Sequence, residues 1–180
     1  MRIVLASLLA AIVLFFAGFF WWGFLMIIAE PAHVLEDETL AEQIDASLAE
    51  SGLYIYPDYA SQEQGGPTAL LFYNSEPAPM LAIMGAGFLH MFVTALFVSL
   101  VVSRLDIAST RGRIALVTCF GIFAAVWANG GHLIWWRHPY LWTAFHIGYD
   151  VLSWALAGIV IALIVKPTIH GSTETDVAVS

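Results

Sequence analysis

The sequence predicts an all-α membrane protein, in which a bundle of four transmembrane helices carries a small extracytoplasmic cap of one helix and a β-hairpin. Four long apolar runs, residues 3–29, 81–103, 114–136 and 140–165, carry almost no charge, and the 180-residue chain is 60% hydrophobic. A spanning helix needs roughly 20 apolar residues, and each run meets that length. Residues 30–80 instead carry ten carboxylates and no Lys or Arg, which indicates a segment outside the membrane.

These runs divide the chain into four parts. Residues 1–29 form the first transmembrane helix, because the run is longer than the apolar region of a signal peptide, which is about 7–15 residues. Residues 30–80 form the acidic cap, and residues 81–165 form the other three helices. Residues 166–180 are small and polar, which predicts a disordered cytoplasmic tail.

The basic residues predict the orientation of the helices. Five of the six lie on one side of this topology: Arg2, Arg104, Arg111, Arg113 and Lys166. Only Arg137 lies on the other side. We therefore expect a multi-pass protein of the bacterial inner membrane, with both ends of the chain in the cytoplasm and residues 30–80 in the periplasm.

Within the cap, the pattern predicts one helix followed by two strands. Apolar residues recur every four positions over Thr39–Ser51, and Thr39 with Glu42 fits a capping box. Residues 53–56 and 69–73 are rich in β-formers and are separated by turn residues, which predicts a hairpin. A two-stranded hairpin is marginally stable alone, so we expect it to pack on the small helix or on the membrane surface.

Five polar residues within the apolar runs form the candidate site. Estimated depths place His90, Asn129 and Asp150 in one layer, and His132 and His146 in a second layer nearer the outer surface. Polar groups in a membrane usually face other helices. The second, third and fourth helices are joined by short links and should be sequential neighbours. The sequence therefore predicts a polar cluster between these three helices, in the outer half of the bundle.

Three interpretations of this cluster remain open. The residues can be structural and fix helix packing by hydrogen bonds. Alternatively, His132 and His146 can ligate haem or a metal of unknown identity, with His33 and His138 approaching from the outer surface. In the third interpretation, Asp150 with a nearby histidine is the centre of a proton-coupled carrier.

Several short motifs resemble a family of small bacterial four-helix membrane proteins without an established function. The matching stretches are Trp22-Gly23-Phe24 with Pro31-x-His33, SGLYIYP at 51–57, GHLIWW at 131–136 and DVLSWALAGIVIALI at 150–164. The chain departs from this pattern at Arg137-His138-Pro139, where an Asn- or Gly-containing turn is expected. The resemblance implies that His33, His132 and Asp150 are positions of interest, and it implies no activity.

The sequence favours a non-catalytic function as a membrane scaffold or an accessory subunit of a larger membrane assembly. No nucleophile motif, phosphate-binding glycine loop or zinc pattern occurs in the sequence. The expected partners are the lipid bilayer and either another membrane protein or a second copy of the chain. The net charge of −8 argues against nucleic acid. Because the cap covers the region of His132, His146 and Asp150, any function should lie at the outer face.

Overall fold

The computed structural model describes residues 1–62, 65, 67–77 and 79–166, with only the backbone of Tyr59. The predicted disordered tail, from residue 167 onward, lies outside the described residues. The described part is mostly helical, and its two-stranded sheet is small.

Four helices are long and apolar enough to cross a membrane, which indicates a multi-pass membrane protein. The first spans Arg2–Ala29 and consists of α1 (Arg2–Phe20), a π-helical turn (Trp21–Leu25) and α2 (Met26–Ala29). The others are α5 (Met80–Arg104), α6 (Thr110–Trp135) and α7 (Tyr140–Ile164). At 1.5 Å per residue these helices are about 37–42 Å long, against about 30 Å for the hydrocarbon core of a bilayer.

The two ends of the bundle differ in charge. The cap end is the end where residues 30–79 leave α2 and enter α5, and where α6 turns into α7. The basic end is the opposite one, where α1 begins, where α5 turns into α6 and where α7 ends. The third run was predicted to begin at residue 114, but α6 begins at Thr110. The Ser109 hydroxyl caps it four residues earlier by accepting a hydrogen bond from the Gly112 amide at 3.0 Å.

The packing order of the helices differs from their order in the sequence. α1 packs against both α5 and α7, and α6 packs most extensively against α7. Within the described residues, α5 barely touches α6 or α7. The expectation that the second, third and fourth helices are sequential neighbours is therefore wrong for α5 and α6. The short link 105–109 joins only their ends, while the small-residue face of α6 turns to α7.

This face explains the close contact of α6 with α7. Its buried residues recur every four positions: Arg113, Val117, Gly121, Ala125 and Asn129. A Cβ atom at Gly121 would lie 2.4 Å from the Cβ of Trp154, and one at Gly158 would lie 3.1 Å from the Cβ of Val117. Only glycine leaves enough room at these two positions, so the two backbones approach each other closely.

The main hydrophobic core lies in the half of the bundle nearer the basic end. It combines small and branched residues of α1, α5, α6 and α7, among them Ala10, Leu14, Val102, Val117 and Ile161. The buried residues of α5 all lie between Ala95 and Ser103. The cap-end half of α5 therefore adds no buried residue to this core, although the partly buried Met91 packs against it.

The cap contains α3 (Glu38–Ser47), β1 (Gly52–Tyr56), the single turn α4 (Tyr59–Gln62) and β2 (Ala69–Tyr73). The strands pair antiparallel, with Gly52 opposite Tyr73, which confirms the predicted hairpin. The Tyr73 hydroxyl donates a hydrogen bond to the Asp45 carboxylate, so the hairpin is tied to α3 as expected.

The predicted capping box at Thr39 and Glu42 is wrong. The carboxylate of Asp37 caps α3 instead, accepting hydrogen bonds from the amides of Thr39 and Leu40 at 3.0 and 3.2 Å. The side-chain hydrogen bond from Thr39, followed by the backbone bond from Leu40, lowers the pKa of Asp37. A carboxylate also interacts favourably with the positive end of the helix dipole, which a threonine hydroxyl does not.

Candidate functional site at the cap end

Asn129 and Asp150 join α6 to α7 in the cap-end half of the bundle. The Asn129 side-chain amide donates hydrogen bonds to Asp150 Oδ2 and to the carbonyl oxygen of Ala125, both at 3.0 Å. Asn129 is buried and Asp150 is half-buried. The structure thus brings together two of the three residues that were predicted to share a layer.

His90, the third residue of that predicted layer, lies elsewhere. It is exposed on α5, the helix that barely touches α6 and α7. Its carbonyl oxygen accepts a hydrogen bond from the Thr94 hydroxyl at 2.8 Å. The predicted cluster between the second, third and fourth helices is therefore reduced to a contact between the third and fourth.

The surroundings of His90 are open. Every residue of α5 from Met80 to Ala86 is exposed, and Gly87 and Phe88 are only partly buried. No described atom outside their own backbone lies within 4 Å of a Cβ built at Gly85 or Gly87. Phe88 contacts the ring of Phe15 on α1, at a centroid distance of 5.9 Å, but the exposed stretch Met80–Ala86 and the His90 side chain lie on a helix surface with almost no partner in the described part of the chain.

His146 lies one helical turn closer to the cap end than Asp150, and indole rings enclose it. Its ring centroid is 4.7 Å from that of Trp22 and 4.5 Å from that of Trp142. Its Nε2 atom is buried and has no hydrogen-bond partner among the described residues. Access to this imidazole is thus controlled by the two tryptophans.

The π-helical turn brings Trp21 and Trp22 to this site together. Trp21 contacts the rings of Phe145 and Tyr149, while Trp22 also contacts Trp142 and His146. A π-helical turn takes up more residues than an α-helical one, so two consecutive side chains can face the same neighbouring helix. The sequence signal was the pair of consecutive tryptophans, but their contact with His146 could not be inferred from it.

His132 and His138 form a separate pair where α6 ends. Their ring centroids are 5.0 Å apart, and the backbone amide of His138 donates to the carbonyl oxygen of His132 at 3.3 Å. Burial, and then the charge of His132, lower the pKa of His138. The neutral imidazole is therefore favoured at position 138.

The histidines proposed as haem or metal ligands thus occupy two settings. His132 is exposed and contacts the tilted ring of His138, whereas His146 is flanked by Trp22 and Trp142. Within the described ranges, no group of three or more His, Cys, Asp or Glu side chains is arranged to hold a metal ion. The assignment of a haem or metal to His132 and His146 stays a prediction.

A cavity of about 650 Å³ lies between the hairpin and the cap-end termini of α2, α6 and α7. Aromatic rings form much of its wall, those of Phe72, Trp135, Trp136 and Trp142. The other two predicted histidines, His33 and His138, line this cavity, whereas His132 and His146 are not among its described lining residues. The cavity is within the range of about 300–1,000 Å³ that is usual for small-molecule sites.

Glu30 and Arg137, of opposite charge, also line this cavity and share an unusual backbone conformation. Their φ angles are +44° and +53°, in the left-handed region that residues other than glycine rarely adopt. Glu30 ends α2, and Arg137 lies in the turn between α6 and α7. Non-glycine residues in this conformation are often found at ligand-binding sites.

At the basic end, Arg113 has a role that the sequence did not reveal. Its guanidinium is buried and donates to the carbonyl oxygens of Ile107 and Ala108 at 2.8 and 3.0 Å. It also donates twice to the carbonyl oxygen of Ala162, near the C-terminus of α7. The sequence pattern marked Arg113 only as one of the charges that set the orientation.

Compared with models of protein families, with curated proteins and with solved structures, the chain matches none of them. Inferences about its function therefore depend on the residues and geometry described above.

Proposed function

We propose that this protein is a non-catalytic accessory or scaffold subunit of a larger membrane assembly, and that the cap-end half of α5 contacts a spanning helix of a partner protein. One observation carries the proposal: His90 is exposed on a sparsely packed half of a helix that is apolar enough to span a bilayer.

Exposure of this imidazole to lipid is unfavourable. In hydrocarbon, polar side chains are rare and usually face other protein groups or water, because lipid offers them no hydrogen bonds. A partner helix at this face would remove the ring from lipid. The neighbouring Gly85, Ala86 and Gly87 are small enough for a second helix to approach closely.

The chemistry of His90 defines what the partner helix presents. A neutral imidazole carries one hydrogen-bond donor and one acceptor, so a carboxyl, hydroxyl or amide side chain at the same depth would pair with it. The acidic cap ends where α5 begins, so two copies meeting at this face would bring two acidic segments together. Charge therefore favours a different protein, with a basic segment outside the membrane.

The proposed location follows the distribution of charge between the two ends of the bundle. Five of the six basic residues belong to the basic end, which the positive-inside rule assigns to the cytoplasm. The cap then lies in the periplasm of a bacterium, and the protein is a multi-pass protein of the inner membrane.

Site-specific photo-crosslinking tests the proposed interface. A photo-reactive amino acid replaces Leu89, which is 60% exposed beside His90, in the full chain at native expression level. We expect one discrete protein adduct, whose partner has a spanning helix with a polar side chain. The substitution His90→Leu keeps the helix apolar but removes the hydrogen bonds, so it should lower the adduct yield several-fold.

The same amino acid at Trp127, 77% exposed on α6, is the control position and should give no adduct with that protein. An adduct of two copies of the chain would contradict the proposal of a different partner. If the probe at position 89 labelled only lipid, or if His90→Leu left the yield unchanged, the proposed interface would be disproved.

A further inference from the structure

We propose that the cavity between the hairpin and the cap-end helix termini binds a single-chain amphiphile with an anionic headgroup, such as a long-chain fatty acid. This inference does not depend on the proposed subunit role, because the cavity and the free face of α5 share no residue. Three properties carry it: the charge of the lining, the nature of the walls and the position of the cavity.

The lining differs in charge from the rest of the cap end. Arg137 is the only Lys or Arg on that side of the topology, and it lines the cavity together with His33 and His138. Residues 30–80 contain ten carboxylates, yet Glu30 is the single carboxylate among the described lining residues. A guanidinium and two imidazoles can donate several hydrogen bonds to a carboxylate or phosphate.

The walls favour an apolar body behind that headgroup. The lining includes the indole rings of Trp135, Trp136 and Trp142 and the side chains of Phe72 and Leu141, and it is more apolar than polar. Aromatic walls bury a large apolar area when an acyl chain packs on them. A small hydrophilic anion would not bury this apolar surface, so the lining favours an amphiphile.

The position of the cavity gives such a molecule access. It lies where α6 ends and α7 begins, at the end of two helices that are apolar enough to span a bilayer. Trp135, which forms part of the wall, is 81% exposed. An acyl chain can therefore enter from the lipid, while its headgroup stays with Arg137 at the membrane surface.

The size of the cavity distinguishes a single chain from a whole phospholipid. About 650 Å³ is typical of a site for one drug-sized ligand. We therefore assign the site to a single-chain anion, and a two-chain phospholipid is the alternative that the experiment separates.

The test uses the full chain in nanodiscs of phosphatidylcholine and a dibrominated stearate as the probe. Bromine quenches the fluorescence of indoles that it touches, and native mass spectrometry gives the number of probe molecules bound. We expect one stearate per chain with saturable quenching, and much weaker binding of the brominated alcohol, which has the same chain without the charge.

The substitution Arg137→Gln should weaken stearate binding about tenfold, as expected for one lost charge-assisted hydrogen bond. Arg111→Gln, the same change at the basic end, is the matched control and should leave binding within about twofold. Because Arg137 has a positive φ, Arg137→Gly is a second variant that fits this backbone and should weaken binding as much.

The proposal would be overturned if the alcohol bound as tightly as stearate, or if Arg137→Gln and Arg111→Gln had equal effects. In nanodiscs to which phosphatidylglycerol is also added, tighter retention of this phospholipid than of stearate in native spectra would reject the single-chain ligand in favour of a phospholipid. Loss of stearate binding in these variants would not affect the crosslinking at position 89, so the two proposals fail separately.

Discussion

Between α6 and α7, polar side chains are buried and hydrogen-bonded, whereas on the cap-end half of α5 a polar side chain is exposed. On α6, Asn129 and Arg113 are buried, and both are hydrogen-bonded to α7. On α5, His90 is exposed and lies beside glycines that touch no described neighbour. Asn129 and Arg113 thus find their hydrogen-bond partners within the chain, whereas the face around His90 has the composition of a helix contact surface but no contact among the described residues.

This difference shows how a spanning helix can be apolar enough to insert and yet be poorly packed. Between helices in a bilayer, association depends on close packing and hydrogen bonds, because lipid tails are as apolar as the side chains. α6 satisfies both requirements against α7. α5 has its buried residues only from Ala95 onward, and before that it contacts α1 mainly through Phe88 and Met91.

The largest expected effect is a loss of stability at the basic end, where the buried Arg113 of α6 is compared with the exposed Arg104 of α5. Arg113→Met removes the guanidinium that pairs with three backbone carbonyls, so it should lower the free energy of unfolding by about 3 kcal/mol. Arg104→Met, the same change at an exposed site at the end of α5, should stay within about 0.5 kcal/mol. Unfolding of both variants by denaturing detergent measures the difference, and equal losses would contradict a specific role for Arg113.

Replacing a glycine by alanine should change the stability in opposite directions on α6 and on α5. Gly121→Ala places a methyl group against Trp154 and should cost about 1–3 kcal/mol of stability. Gly87→Ala meets no neighbour and improves helix propensity, so it should be neutral or stabilising by up to about 1 kcal/mol. Thermal unfolding of the two variants in one detergent checks the signs. A stable Gly121→Ala protein would mean that α6 and α7 are not in close contact.

The smallest effect concerns the two polar groups in the spans. Asn129→Leu removes the hydrogen bond to Asp150 and should lower stability by about 0.6 kcal/mol, the average for interhelical hydrogen bonds in membranes. His90→Leu should leave the stability of the isolated chain unchanged, because the His90 side chain is exposed. Denaturation of the purified variants provides the measurement. Destabilisation by His90→Leu would show that the imidazole makes stabilising contacts within its own chain.

The sequence was a good guide to features with a local or periodic signal. The four spans depend on long apolar runs, the hairpin on β-formers between turn residues, and the Asn129–Asp150 contact on polar residues at matching depth. Each of these signals is contained in one segment, or in two segments joined by a short turn. The structure therefore agrees with the corresponding predictions.

Features that depend on competition between segments could not be predicted. Short links join α6 to both α5 and α7, so either helix could pack beside it. The close fit of Gly121 against Trp154 favours α7. Asp37 and Thr39 could both cap α3, and the charged side chain is the cap. The sequence pattern accounted for Arg113 as one of the charges that set the orientation, and nothing in it indicated the hydrogen bonds of this residue to α7.

The π-helical turn at Trp21–Leu25 has a consequence for the shape of the cavity. The π-helical turn contains one more residue than an α-helical turn. The residues after Leu25 therefore face a different direction, relative to the small buried residues of α1, from the one they would face in a continuous α-helix. If the same residues were wound as a continuous α-helix, Glu30 would be rotated by about 100° around the axis, away from the cavity wall, whereas deleting one residue at the turn would restore α-helical winding and keep the direction of Glu30. The geometry of the outer cavity is thus set by a winding defect inside the membrane-spanning helix.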